Sequence, residues 1–206
     1  MSLEISWLGH ASVMIRAEET VLYIDPWKIG ASSPQADIIL LTHDHYDHYS
    51  EDDIAVLATD TTRIVAPMTT EVVTDTINAG DRLGIEDVLI EALPAYNIDK
   101  DFHPRAKGWV GYVVQIFGRR IYHAGDTDHI PEMKGLKVDV ALMPVGGTYT
   151  MTADDAADAL GDMQVDHVIP IHYGDIVGSQ TDARRLSDIV TNTVHILRPG
   201  ESFILE

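Results

Sequence analysis

The run Thr42-His43-Asp44-His45-Tyr46-Asp47-His48 sets three histidines and two acids within seven residues, directly after the apolar Ile38-Ile39-Leu40-Leu41. It reads as H-x-H-x-D-H at the end of a buried strand. Imidazole and carboxylate together suit a borderline divalent ion such as zinc, manganese or iron. His43 and His45 lie two apart, so on an extended segment they point the same way, and Asp44 points the opposite way as a turn former. A solvated polar loop is the bland alternative. It explains a stray histidine better than three of the chain's 10 crowded against an apolar strand.

Positioning such donors requires a rigid scaffold. Short apolar runs at residues 3–7, 13–16, 21–24, 38–41, 63–66, 88–93, 111–116, 120–123, 140–143, 167–171, 195–197 and 202–205 read as strands, and helical patterns fall between them, which predicts an α/β fold. Ser50 before Glu51-Asp52-Asp53 predicts a capping box, and Thr152 and Thr181 precede acids that suit the first turn of a helix. A fourth helix is expected over residues 69–78, closed by Gly80. The chain also carries a weak internal repeat: residues 13–25 and 114–126 each read as a hairpin running into an acid, Asp25 or Asp126, 101 residues apart. Two such halves suggest two mixed β-sheets with helices outside, in one domain spanning 1–206.

The chain resembles the metallo-β-lactamase-fold superfamily. The likeness is carried by Trp7-Leu8-Gly9-His10-Ala11-Ser12, Ile24-Asp25-Pro26, the histidine run, Tyr122-His123-Ala124-Gly125-Asp126-Thr127, Met143-Pro144-Val145-Gly146-Gly147 and Ile169-Pro170-Ile171-His172-Tyr173. It looks most like the compact branch of metal-dependent hydrolases related to ascorbate-phosphate lactonases. The resemblance implies an αββα sandwich and two divalent ions, zinc first, with manganese or iron as alternatives. It implies His43 and His45 on the first ion, Asp47, His48 and His172 on the second, and Asp126 bridging. Two such ions can share and acidify a hydroxide that attacks an ester, lactone, amide or phosphodiester. Asp47, Asp126 and His10 are the residues expected to take part in the chemistry. Where the family usually has a third histidine for the first ion, this chain has Leu93-Pro94-Ala95-Tyr96-Asn97; His103 is the favoured replacement and Asn97 the alternative. His10, His123 and Asp25 are expected to orient ligands or to serve as hydrogen-bonded core residues.

Composition narrows the partners. There is no cysteine, so thiolate ligands and disulfides are excluded, and 33 acids against 14 bases give a net charge of −19. That disfavours nucleic acid and points to a small, anionic substrate drawn by the ions and by the Gly146-Gly147 turn before the Thr152 helix. No apolar run is long enough to span a bilayer, so no membrane partner and a cytoplasmic location are expected. Oligomeric state is open. The competing readings are a non-catalytic metal- or ligand-binding protein that keeps the fold, and an RNA- or DNA-processing nuclease of the same superfamily.

Overall fold

The computed structural model describes residues 2–206. Along the chain run β1 (Leu3–Gly9), β2 (Ser12–Ala17), β3 (Thr20–Ile24), β4 (Ile38–Leu40), α1 (Glu51–Leu57), β5 (Arg63–Ala66), β6 (Asp75–Thr76), β7 (Arg82–Ile85), β8 (Val88–Pro94) and β9 (Val110–Ile116). They are followed by β10 (Arg119–His123), β11 (Lys137–Pro144), α2 (Ala153–Asp162), β12 (Gln164–Ile171), α3 (Gln180–Ile189), β13 (Thr193–Val194) and β14 (Ser202–Leu205). The chain divides into two compact units, Met1–Ile77 with Leu197–Glu206, and Asn78–Ile196.

The first unit is a seven-stranded mixed sheet in the order β14-β1-β2-β3-β4-β5-β6. β14, β1, β2 and β3 pair antiparallel, whereas β3 to β6 run parallel. Every residue of β4 is buried, as a central parallel strand requires. α1 drives Ile54 and Leu57 into a cluster with Tyr23, Ile39, Leu41 and Ile64. The parallel strands carry β3 and β4 to one edge, where Asp25 and the histidine run begin.

The second unit repeats the plan. Its sheet, β13-β12-β11-β10-β9-β8-β7, is antiparallel from β7 to β10 and parallel from β10 to β13. The carboxyl ends of β10, β11 and β12 lie at one edge, the usual place for function in parallel sheets. They deliver Asp126, Gly146 and His172. α2 and α3 pack against each other and bury Ala156, Ala159 and Leu160 from one and Ala183 and Leu186 from the other.

Several sequence expectations are corrected. Residues 69–78 form no helix. That stretch is rich in β-branched residues, which resist helical packing, and Thr74 Oγ1 accepts from Ile64 N at 2.9 Å while Arg63 grips Asp75, so the chain ends in the short strand β6 beside β5. α3 starts at Gln180, with Ser179 rather than Thr181 as its cap, because Ser179 and Asp182 close a capping box. At α1 the Ser50 hydroxyl accepts from Asp53 N, whereas the reciprocal capping box is recorded for α2, between Thr152 and Asp155. The strand expected at 195–197 lies at Thr193–Val194 instead, and β7, whose Arg82 and Gly84 break the apolar pattern, went unread.

Candidate metal centre

In the first unit the histidine run leaves β4 extended and then turns, with His48 N and Tyr49 N both donating to His45 O. The turn brings the rings together: His43 lies 4.6 Å from His45 and 4.0 Å from His48 between centroids. His43 is buried while Asp44 is exposed, as alternation along an extended segment requires, and the turn buries Asp47 and His48 together.

Asp25 organises this group. Its side chain is fully buried, and its backbone sits at φ 48°, a left-handed conformation uncommon outside glycine. The turn is held by Ser12, whose hydroxyl donates to Asp25 O and accepts from Trp27 N. Asp25 Oδ1 accepts from Thr42 N at 2.7 Å, and Oδ2 accepts from Thr42 Oγ1 at 2.6 Å and faces His48 Nδ1 at 2.7 Å. Since Thr42 donates its proton to the carboxylate, its oxygen accepts from His43 Nδ1 at 2.9 Å. Both imidazoles are thereby held with the proton on Nδ1 and the lone pair on Nε2, the arrangement a metal-ligating histidine needs.

Asp47 Oδ2 lies 2.9 Å from His10 Nε2 and 3.9 Å from His48 Nε2. An ionised carboxylate only accepts, so His10 donates to it. His10, at φ 50° in the turn between β1 and β2, holds Asp47 in place. Within this unit, ligand atoms of His10, Asp47 and His48 lie within 4.8 Å of one another, and so do those of Asp25, His43 and His48. The histidine run thus provides imidazole and carboxylate donors in one small volume, backed by hydrogen bonds.

The second unit has its own set. His103 Nε2 lies 3.2 Å and His172 Nε2 3.0 Å from the same oxygen, Asp126 Oδ2, and all three residues are buried. Two donors each about 2.0–2.1 Å from one tetrahedral ion stand roughly 3.3 Å apart, so both separations suit N and O donors to shared ions. With only imidazole and carboxylate groups and no cysteine, the residues fit zinc, manganese or iron. His172 follows β12 at φ 57°, and Gly146 makes room for it: a Cβ there would meet His172 O at 2.4 Å. Burial pushes the adjacent Tyr173 hydroxyl up to about 12, so it stays protonated at neutral pH.

Asn97 is also buried, but its amide is engaged within the protein. Nδ2 donates to Asp128 Oδ1 and Tyr149 O, and Oδ1 accepts from His103 N and faces His103 Nδ1 at 3.1 Å. His123 is fully buried and its Nδ1 accepts from Gly125 N. At the Gly146-Gly147 turn, where an anion was expected, part of the N–H set is used within the chain. Gly147 N donates to Met151 O, Thr148 N to Gly146 O and Thr152 N to Asp155 Oδ2, so those N–H groups are already taken. The sequence reading missed Thr42, whose hydroxyl relays Asp25 to His43, and Asp128, which braces Asn97. Position directly before the motif was the one available signal for Thr42.

A family model described as the Beta-lactamase superfamily domain matches residues 4–172. The chain belongs to the beta-lactamase superfamily. Its curated relatives include UPF0173 metal-dependent hydrolases: one from Thermoplasma volcanium is 33% identical over 211 residues, covering 92% of each chain. One from Thermus thermophilus is 30% identical over 228 residues, covering 99% of this chain and 100% of the relative. Among solved structures, a Parabacteroides distasonis protein to which metal-dependent hydrolase activity is ascribed superposes with TM-score 0.84 at 34% identity, covering 97% of this chain and 94% of that one. Igni18, a metallo hydrolase from Ignicoccus hospitalis, shares the fold at TM-score 0.82 and 22% identity, covering 100% of this chain and 99% of its own. The two mixed sheets are thus those of a beta-lactamase superfamily fold. Among the described residues, no helix of this superfamily member is long and apolar enough to cross a membrane.

Proposed function

We propose that this chain is a metal-dependent hydrolase in which the two donor sets together hold two divalent ions, with zinc the best fit to an imidazole–carboxylate set. His43, His45 and His103 would hold one ion, Asp47, His48 and His172 the other, and Asp126 would be shared. The observation that carries this reading is the convergence of two buried imidazole nitrogens on the single oxygen Asp126 Oδ2, at 3.2 and 3.0 Å. Bound there, the ions would acidify water and neutralise charge developing on the substrate oxygen.

The chain's own residues would do the rest. His10 aims Asp47, and Asp47 Oδ2 accepts the proton of the attacking water. The water oxygen bonds to the carbonyl carbon or phosphorus, the bond to the leaving group breaks, and the leaving group takes up the proton. Asp25 and Thr42 fix the donor nitrogens of His43 and His48. The substrate is a small ester, lactone, amide or phosphodiester rather than a nucleic acid, because a chain of charge −19 repels a long polyanion. An anionic group on it would be drawn chiefly by the ions, since the Gly147 and Thr148 amides are occupied. Tyr46 beside His45 and Phe102 beside His103 are exposed aromatics on the ligand-bearing loops, surfaces for an apolar part of such a substrate. The test is elemental analysis of protein purified without added metal, followed by lactone, ester, amide and phosphodiester assays with and without chelator. Two ions per chain and chelator-sensitive hydrolysis of a small substrate are expected. Full activity without metal, or tight salt-sensitive binding of RNA or DNA, would refute the reading.

A further inference from the structure

We propose that Asn97 is the positioning residue of His103, and that its neutral amide leaves the His103 ion site the weaker of the two, filled second. This rests on the two-ion reading above and extends it to an order of loading. The argument begins with what Asn97 can do. Its Nδ2 donates to Asp128 Oδ1 at 3.1 Å and to Tyr149 O at 2.9 Å, two groups that only accept. A flipped amide would set its oxygen against both, so Oδ1 must face the other way. There it accepts His103 N at 2.9 Å and meets His103 Nδ1 at 3.1 Å. Asn97 N in turn donates to His103 O at 2.7 Å, which closes the intervening loop on itself.

An acceptor at Nδ1 requires the imidazole proton there and leaves the lone pair on Nε2, the atom 3.2 Å from Asp126 Oδ2. Asp128 keeps Asn97 in this sense, and is itself held by Ile98 N at 2.9 Å and by the Lys100 ammonium. Asn97, His103 and Asp128 are all buried, so water competes weakly for these bonds. The residue pair works as a unit: one side chain supplies the nitrogen, the other decides which nitrogen it is.

The backing differs from that in the first unit. His48 Nδ1 meets a carboxylate directly, at 2.7 Å, whereas His43, which would share its ion with His103, reaches that carboxylate only through the Thr42 hydroxyl. A charged acceptor makes a stronger hydrogen bond, about twice a neutral one, and makes the ring a better donor to metal. His103 has an amide instead. The ion held with His48 should therefore bind first and more tightly, and the ion held with His103 second.

The test uses the full-length, metal-free protein and Co(II) as the probe ion. Long-range ¹H–¹⁵N spectra should show His103 protonated on Nδ1, and the d–d absorption should rise in two steps as Co(II) is added. Asn97→Ala should disturb the His103 tautomer and weaken the second step about 10–100-fold, the usual size of an outer-partner effect, with the first step unchanged. The double variant Asn97→Asp with Asp128→Asn, which keeps an acceptor at Nδ1 and moves the amide donor to position 128, should restore the tautomer; a merely structural role predicts no such rescue. Asp25→Asn should weaken the first step most, through His48, and the second to a smaller degree, through Thr42 and His43. Two steps that respond equally to Asn97→Ala, or a tautomer it does not move, would overturn the proposal while leaving the two-ion reading intact. A wild-type protein that takes up no Co(II) would sink both. If Asn97→Ala does not fold, the wild-type spectrum still decides: His103 protonated on Nε2 contradicts the proposal.

Discussion

In the first unit the hairpin of β2 and β3 runs into Asp25; in the second the hairpin of β9 and β10 runs to Asp126, and each is followed by a parallel strand. The likeness extends to detail. Asp37 before β4 accepts Val21 N at the start of β3, and Asp139 in β11 accepts Arg120 N in β10, both at 2.8 Å. The carboxylates that follow the two hairpins, offset by two residues in the repeated frame, nevertheless have different surroundings. Asp25 is ringed by donors, a backbone N–H, a hydroxyl and an imidazole Nδ1. Asp126 meets the Nε2 atoms of two imidazoles. An aspartate just beyond the same hairpin, directly after β3 in one half and three residues after β10 in the other, is thus a brace in the first and, on our reading, a ligand in the second. The neighbouring donors decide which.

The sharpest way to break this contrast is to remove each carboxylate in turn. Asp126→Ala should strip metal and lower kcat/KM by more than the roughly 10–100-fold expected of an outer partner. Equal losses from Asp126→Ala and Asp25→Ala, measured by elemental analysis and hydrolysis, would erase the distinction. Asp25→Asn should cost metal affinity about 10–100-fold and also stability. An amide that replaces one accepting oxygen with an N–H faces donors there, and a buried donor left unmatched costs roughly 1–3 kcal/mol. A denaturant melt of metal-free Asp25→Asn should read that loss, whereas metal-free Asp126→Asn should melt closer to wild type.

A third prediction concerns how each edge makes room. Gly146→Ala would press a Cβ to 2.4 Å from His172 O and 2.8 Å from Val177 Cγ2. Overpacking of that kind costs about 1–3 kcal/mol and should displace His172, so stability and metal content should fall together. Unchanged metal content in a destabilised Gly146→Ala protein would show His172 to be dispensable.

The smallest effect lies away from both carboxylates. Burial, and then the neighbouring His167, hold His195 below the ordinary imidazole range; the two rings meet at 3.1 Å. The unfolded chain takes up this proton first as pH falls. The residue therefore contributes stability that is present above the ordinary imidazole value of about 6.5 and is lost as pH falls toward the folded value. His195→Gln should flatten that part of the stability–pH curve. A curve of unchanged shape would contradict the assignment.

The sequence made much of this legible for physical reasons. Strands such as β4, buried on both faces, read as unbroken apolar runs, and the histidine spacing placed His43 and His45 on one side of an extended segment. The repeat was visible because each half reuses a hairpin, an acid and a parallel strand. What failed to show were features set by tertiary contact. The 69–78 stretch has helical punctuation but is captured by β5 through Thr74 and Asp75. The Gly146-Gly147 turn looks like an anion site, yet only the fold shows its Gly147 and Thr148 amides turned to carbonyls within the chain. Asn97 looked like a weak ligand because only the folded loop shows its amide turned on His103.

The most direct measurement is anomalous X-ray diffraction at the zinc edge from crystals of the zinc-loaded protein. The account predicts two peaks per chain that share Asp126. His43, His45 and His103 nitrogens should lie about 2.0–2.1 Å from one, and His48 and His172 nitrogens at the same distance from the other. Peaks elsewhere on the acidic surface, or an ion site without Asp126, would contradict it.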